Sequence, residues 1–85
     1  MKSYRLKEGI IYQDVGEEAL LLNTETEEVF ALNEVAKEIW LALDRANSVN
    51  EAVNEVLRLY KVDAETLRRD AEGLLQSIAK AGLLE

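Results

Sequence analysis

Residues 29 to 40 read Val29-Phe30-Ala31-Leu32-Asn33-Glu34-Val35-Ala36-Lys37-Glu38-Ile39-Trp40, and the apolar period changes in the middle of them. Val29 to Leu32 is a short, apolar run containing a β-branched and an aromatic residue, as a strand prefers. After Asn33 the apolar residues Val35, Ala36, Ile39, Trp40 and Leu43 return at helical spacing. Asn33 stands at the junction, where an Asn side chain can cap a first helical turn. The stretch therefore predicts a strand that hands over directly to a helix.

Working upstream, Ile10-Ile11-Tyr12 behind Gly9 and the run Ala19 to Leu22 form two further apolar segments. Gly16 with its acidic neighbours separates them, and Asn23 to Glu27 supplies the second bend, since Asn and Thr side chains bond local backbone. Three strands with two short connections predict an antiparallel meander, which needs an apolar cover to be stable. Downstream, Ser48 and Glu51 form a capping box ahead of Val49, Ala52, Val53, Val56, Leu57 and Tyr60. A third helix opens at Asp63 and carries Leu67, Ala71, Leu74, Leu75 and Ile78 toward a stop at Gly82. The expected class is α+β, a three-stranded antiparallel sheet followed by three helices. We expect one domain over residues 1–85, with strands within about 10–32 and helices within about 33–82. This element set resembles a winged helix-turn-helix.

Composition narrows the chemistry. A chain of 85 residues buries only about 60 to 65% of the surface its unfolded form exposes, which disfavours a large enzyme pocket. It has no Cys, His or Pro, so disulfides, thiol nucleophiles, imidazole bases and Cys or His metal sites are all excluded. The carboxylate groups Glu17 with Glu18, and Glu25 with Glu27 and Glu28, fall in expected turns or exposed strand ends, where solvent, not a cavity, surrounds them. A weak calcium site is the alternative for them. The four glycines are too scattered for a phosphate loop. A carrier protein needs an Asp-Ser-Leu type motif, and Ser48 lies instead in Asn47-Ser48-Val49. Neither a signal peptide nor a membrane span is apparent, so the expected address is the cytoplasm.

The net charge is -7, and its placement is uneven. Lys2, Arg5 and Lys7 open the chain; between Lys7 and Lys37 there are eight acids and no base. A recognition helix for DNA should present a net positive face. The third helix mixes Arg68, Arg69 and Lys80 with Glu65, Asp70 and Glu72, so nucleic acid is not an expected partner. An acidic docking surface for a basic partner stands against the plainer reading of a solvated face.

Leu32-Asn33 leading into Ile39-Trp40, then Ser48 to Ala52, Tyr60-Lys61-Val62 and the closing Gly82-Leu83-Leu84, form an ordered set across nearly the whole chain. In that order they resemble the PqqD family, also called RiPP precursor peptide recognition elements. One departure is the second turn, where the family often has a Thr-Gly-type bend and this chain has Thr26-Glu27. The resemblance implies a non-catalytic module without cofactor or metal that binds the leader of a ribosomally made precursor peptide. The leader would add as a strand along the third strand, in a groove closed by the third helix. Carried onto this chain, one wall is Glu28, Val29, Phe30, Ala31 and Leu32. The other is Leu67, Asp70, Ala71, Leu74, Leu75 and Ile78. For Leu75, Ile78, Phe30 and Trp40 ordinary core packing is the competing role. Asp70 and Arg69 flank the apolar stripe, where an exposed ion pair contributes only about 0 to 1 kcal/mol. The stretch Tyr4-Arg5-Leu6 and the short acidic form favour the stand-alone leader-binding proteins of lasso peptide pathways, with a leader peptidase as partner. The alternatives are the free peptide chaperone of quinone cofactor biosynthesis and a small winged-helix regulator. The acid-rich first third makes a basic leader segment the expected ligand.

Overall fold

The computed structural model describes residues 5–46 and 48–85. Lys2, Ser3 and Tyr4 of the N-terminal stretch and Asn47 of the first linker lie outside the described residues. The elements run β1 (Ile10–Val15), β2 (Glu18–Asn23), β3 (Val29–Leu32), α1 (Glu34–Arg45), α2 (Val49–Leu57) and α3 (Ala64–Lys80). This is the expected α+β order, and the strands form an antiparallel sheet in the order β1-β2-β3. Residues 29 to 34 do pass from strand to helix with only Asn33 between. Its side-chain oxygen accepts from the Ala36 amide at 2.8 Å.

Each connection has a local cause. Val15 pairs with Glu18 across a two-residue turn, with Gly16 at φ 70° in the first central position that a tight hairpin turn reserves for glycine. In the second turn the Asn23 side chain accepts from the amides of Glu25 and Thr26, at 2.9 and 3.2 Å. Glu27 then adopts φ 65°, a left-handed conformation that costs a residue with a side chain roughly 1 kcal/mol or more. Glu27 thus holds, under strain, a conformation that a glycine would occupy without it.

The sheet register sorts the side chains into two faces. Ile10, Tyr12, Leu21, Phe30, Ala19 and Leu32 share the inner face, while Ile11, Gln13, Val15, Glu18, Leu20, Leu22, Val29 and Ala31 share the outer one. The helices cover the inner face. There Ala19, Leu21 and Leu32 meet Ile39, Trp40 and Leu43 of α1, Val53 and Val56 of α2, and Leu67, Ala71 and Ile78 of α3 in one buried cluster. Trp40 is a core residue, as a lone large aromatic at helical spacing usually is. Lys37 pins α1 to the hairpin tip, with its ammonium 2.5 Å from Asp14 and 2.8 Å from the Gly16 carbonyl.

Ser48 and Asp63 cap α2 and α3 by accepting from the amides of Glu51 and Thr66. The apolar period suggests that α2 reaches Tyr60, but the helix ends at Leu57. Arg58 and Leu59 bond three residues back, to Glu55 and Val56, tightening the last turn and leaving Tyr60 half-buried beyond it. α3 ends as Gly82 suggests. With φ 77° there, the Gly82 amide donates to Ala79 and the Leu83 amide to Ile78, the paired bonds of a Schellman motif, and the buried Leu83 sits over the buried Ile78. The two ends of the chain then meet: Lys7 donates to Leu83, Glu85 donates to Arg5, and Leu6 stands opposite Leu84.

Candidate functional site

β3 is an edge strand, and its free side is defined by the register. The Asn23 amide donates to the Glu28 carbonyl at 2.9 Å, and Leu22, Leu21, Leu20 and Ala19 stand opposite Val29, Phe30, Ala31 and Leu32. Antiparallel bonding alternates. Glu28, Phe30 and Leu32 therefore turn their main chain toward β2, and Val29 and Ala31 turn their N–H and C=O groups outward. No described strand pairs with that side. Such an edge is a template for an added chain.

Two cavities flank it. The smaller, about 140 Å³, lies between Glu28, Val29 and Phe30 and the residues Ala81 and Leu83 that follow α3. The larger, about 570 Å³, lies between Asn33, Val35, Ala36 and Ile39 at the strand-to-helix junction and Arg69, Asp70, Gly73, Leu74 and Ser77 of α3. One lies beside β3 and the other at the start of α1, and α3 with its trailing residues walls both; we refer to the two together as the trench. A small, mostly apolar notch of Val35, Val56, Tyr60, Val62, Thr66 and Leu67 continues it past Asp70.

The residues singled out from the sequence divide within this arrangement. Val29 and Ala31 turn their backbone to the open edge, Val29 beside the smaller cavity, and send their side chains to the outer face. Phe30 is half-buried on the inner face, and Glu28 is exposed beside the smaller cavity. On α3, Asp70 and Leu74 line the larger cavity, with Leu74 half-buried and also touching the core. Leu32, Leu67, Ala71 and Ile78 are at most 3% exposed and support the trench from beneath. Leu75 is half-buried against the same core. The structure adds Asn33, Val35, Ala36, Ile39, Arg69, Gly73 and Ser77, together with Ala81 and Leu83. Gly73 is the one with a legible signal. A mid-helix glycine is disfavoured by about 1 kcal/mol relative to Ala, and a Cβ built there meets nothing within 4 Å, so the bare backbone widens the trench.

The electrostatics are acidic around this region. Partial burial holds the Tyr60 phenol above its usual range, and the nearby carboxylates of Glu38, Glu34 and Glu17 push it further up. The hydrogen bond from Lys37 holds Asp14 below the ordinary aspartate value, and the same contact holds Lys37 up. On α3, Arg69 lies within 3.9 Å of Glu65, so the helix does not present an unbroken cationic face. Among the described residues no group of three acids comes together as a metal-holding cluster. No described helix is long and apolar enough to cross a membrane.

The sequence pattern of one family, described as coenzyme PQQ synthesis protein D (PqqD), matches residues 18–84. No curated protein matches the chain significantly. Among solved structures, TbiB1 in complex with the TbiA(beta) leader peptide is similar, with 28% identity over 95% of this chain and 94% of that one and a TM-score of 0.83. A lasso peptide synthetase B1 complexed with the leader peptide superposes at a TM-score of 0.86, with 23% identity over 96% of each chain. At that identity the second likeness concerns the fold.

Proposed function

The chain belongs to the PqqD family, and from that premise we propose that it binds the leader of a ribosomally made precursor peptide as an added strand. The observation that carries this reading is the open edge of β3, whose Val29 and Ala31 main chain faces a trench walled by α3. Strand addition supplies main-chain hydrogen bonds, and alternate side chains find pockets. In the reading proposed here, Glu28 to Leu32 form the strand wall. Phe30, Asp70 and Leu74 contact the leader directly, over a floor of Leu67, Ala71, Leu75 and Ile78. A similar structure at 28% identity holds a leader peptide, which supports the same ligand class here.

The role we infer is non-catalytic and cytoplasmic, exercised by residues 1–85 as one unit. The domain holds the leader so that a processing enzyme can reach the core peptide. For that enzyme we propose a leader peptidase. The family description favours a second reading, a peptide chaperone for an enzyme of quinone cofactor synthesis. Titration calorimetry with the leader of the precursor encoded beside this gene should give one-to-one binding. No heat, together with no polarisation change for a labelled leader, would end the proposal. Peptide cleavage assayed with and without the protein separates the two readings.

A further inference from the structure

An antiparallel sheet with one face on a core normally shows water a polar second face. Here the outer face does not follow that rule. The register aligns Ile11 with Leu22 and Val29, Gln13 with Leu20 and Ala31, and Val15 with Glu18, so six of its eight side chains are apolar. Ile11, Val15 and Val29 are 50, 51 and 55% exposed. A contiguous exposed apolar surface of this kind marks an interaction site.

The charge around it selects the occupant. Glu17 and Glu18 stand exposed at one turn and Glu25, Glu27 and Glu28 at the other, with no base between Lys7 and Lys37. A second copy of this chain would press these carboxylates against their own kind, and an anionic membrane would be repelled. We propose that the outer face of the sheet is the docking surface of the processing enzyme, which meets it with an apolar patch ringed by Lys and Arg. This rests on the leader-binding reading. A strand added beside Val29 and Ala31 sets every second side chain along the same cross-strand rows. One surface of the enzyme then touches domain and leader together, and the other leader side chains stay in the trench.

The test uses the full chain, a fluorescent leader peptide, the precursor and the purified peptidase that cleaves it. Ile11 and Val15 lie on β1, away from the β3 edge. The paired substitution Ile11→Lys with Val15→Lys should keep leader affinity within about twofold, as surface changes outside a site do. It should cut the protein's stimulation of precursor cleavage by about tenfold or more, since it puts cations opposite cations and removes two apolar contacts. Ile11→Thr with Val15→Thr keeps strand propensity and adds no charge, so it covers the case in which the Lys pair fails to fold; a smaller loss of stimulation is expected. Variants that bind the leader normally and stimulate cleavage fully overturn the docking surface alone. A wild-type protein that does not bind the leader overturns the reading beneath it. A wild-type dimer in sedimentation that the Lys pair disperses assigns the face to a second copy and overturns the proposal as well.

Discussion

α3 carries two stripes side by side, and they differ in what they are made of. The first, Leu67, Ala71 and Ile78, is sealed in the core. The second, Asp70, Gly73, Leu74 and Ser77, borders the larger cavity and mixes one large apolar side chain with small and polar ones. Apolar content alone merges them, because Leu74 belongs to both, bordering the cavity while it packs against the core. What separates a groove from a core on the same helix is the presence of residues that a core has no use for. An exposed glycine and a serine keep volume free, and a carboxylate at the rim stays wet.

The contrast can be attacked most strongly from its buried side. Ile78→Ala removes a fully buried branched side chain and should cost about 2 to 4 kcal/mol of stability in urea unfolding, as large-to-small core changes do. A cost under about 1 kcal/mol, the size of a surface effect, would place Ile78 outside the core stripe. On the other stripe, Leu74→Asp should weaken leader binding by about 2 kcal/mol or more, the contribution of an anchoring aliphatic side chain, and destabilise the fold less than Ile78→Ala. Normal binding by folded Leu74→Asp would move the groove elsewhere.

Gly73→Ala sharpens the comparison by pulling stability and binding apart. With open space around the new methyl group, it should raise stability by about 0.5 to 1 kcal/mol in thermal melts. Polarisation titrations should show weaker leader binding, because the trench narrows. Unchanged affinity would mean that the leader stays clear of the helix at that turn. Glu25→Lys, in a turn outside both stripes, should leave leader affinity nearly unchanged in the same titration.

The smallest effect expected concerns Asp14 and Lys37, on the far side of α1. Because Asp14 is held below its ordinary value, its share of stability is fully present above about pH 3.9. That share is lost as pH falls through the depressed value. Lys37, held up, keeps its share below about pH 10.4 and loses it as pH rises through its raised value. Asp14→Asn should therefore flatten the acid limb of the stability curve, measured by denaturation at stepped pH, and leave leader binding untouched.

Much of this architecture was legible because it is written in local chemistry. Asn33, Ser48 and Asp63 cap because a short polar side chain satisfies amides of the first turn, and Gly82 stops α3 because its φ is positive. The end of α2 was less legible. Tyr60 continues the apolar period, yet tertiary packing half-buries it beyond the helix. The candidate site was legible in its elements and blurred in its residues. The open side of β3 follows from strand order, whereas the division of α3 depends on the rotation of the helix against the sheet, which spacing does not determine. Val35, Ala36 and Ile39 share their helical spacing with the core residues Trp40 and Leu43, yet they form the near wall of the larger cavity.

The meeting of the two chain ends bears on how the molecule opens. Leu6 opposite Leu84 is a contact at the margin of the fold, carried by two backbone bonds, and terminal segments with few bonds fray at low cost. This corner should be among the first to unzip in the native state, with its amides exchanging well before those of the β1–β2 ladder. Leu83, whose carbonyl is held by Lys7, is also a wall of the smaller cavity. Each such opening would free the Leu83 carbonyl beside the smaller cavity, where an extended chain laid along β3 would enter sideways instead of threading.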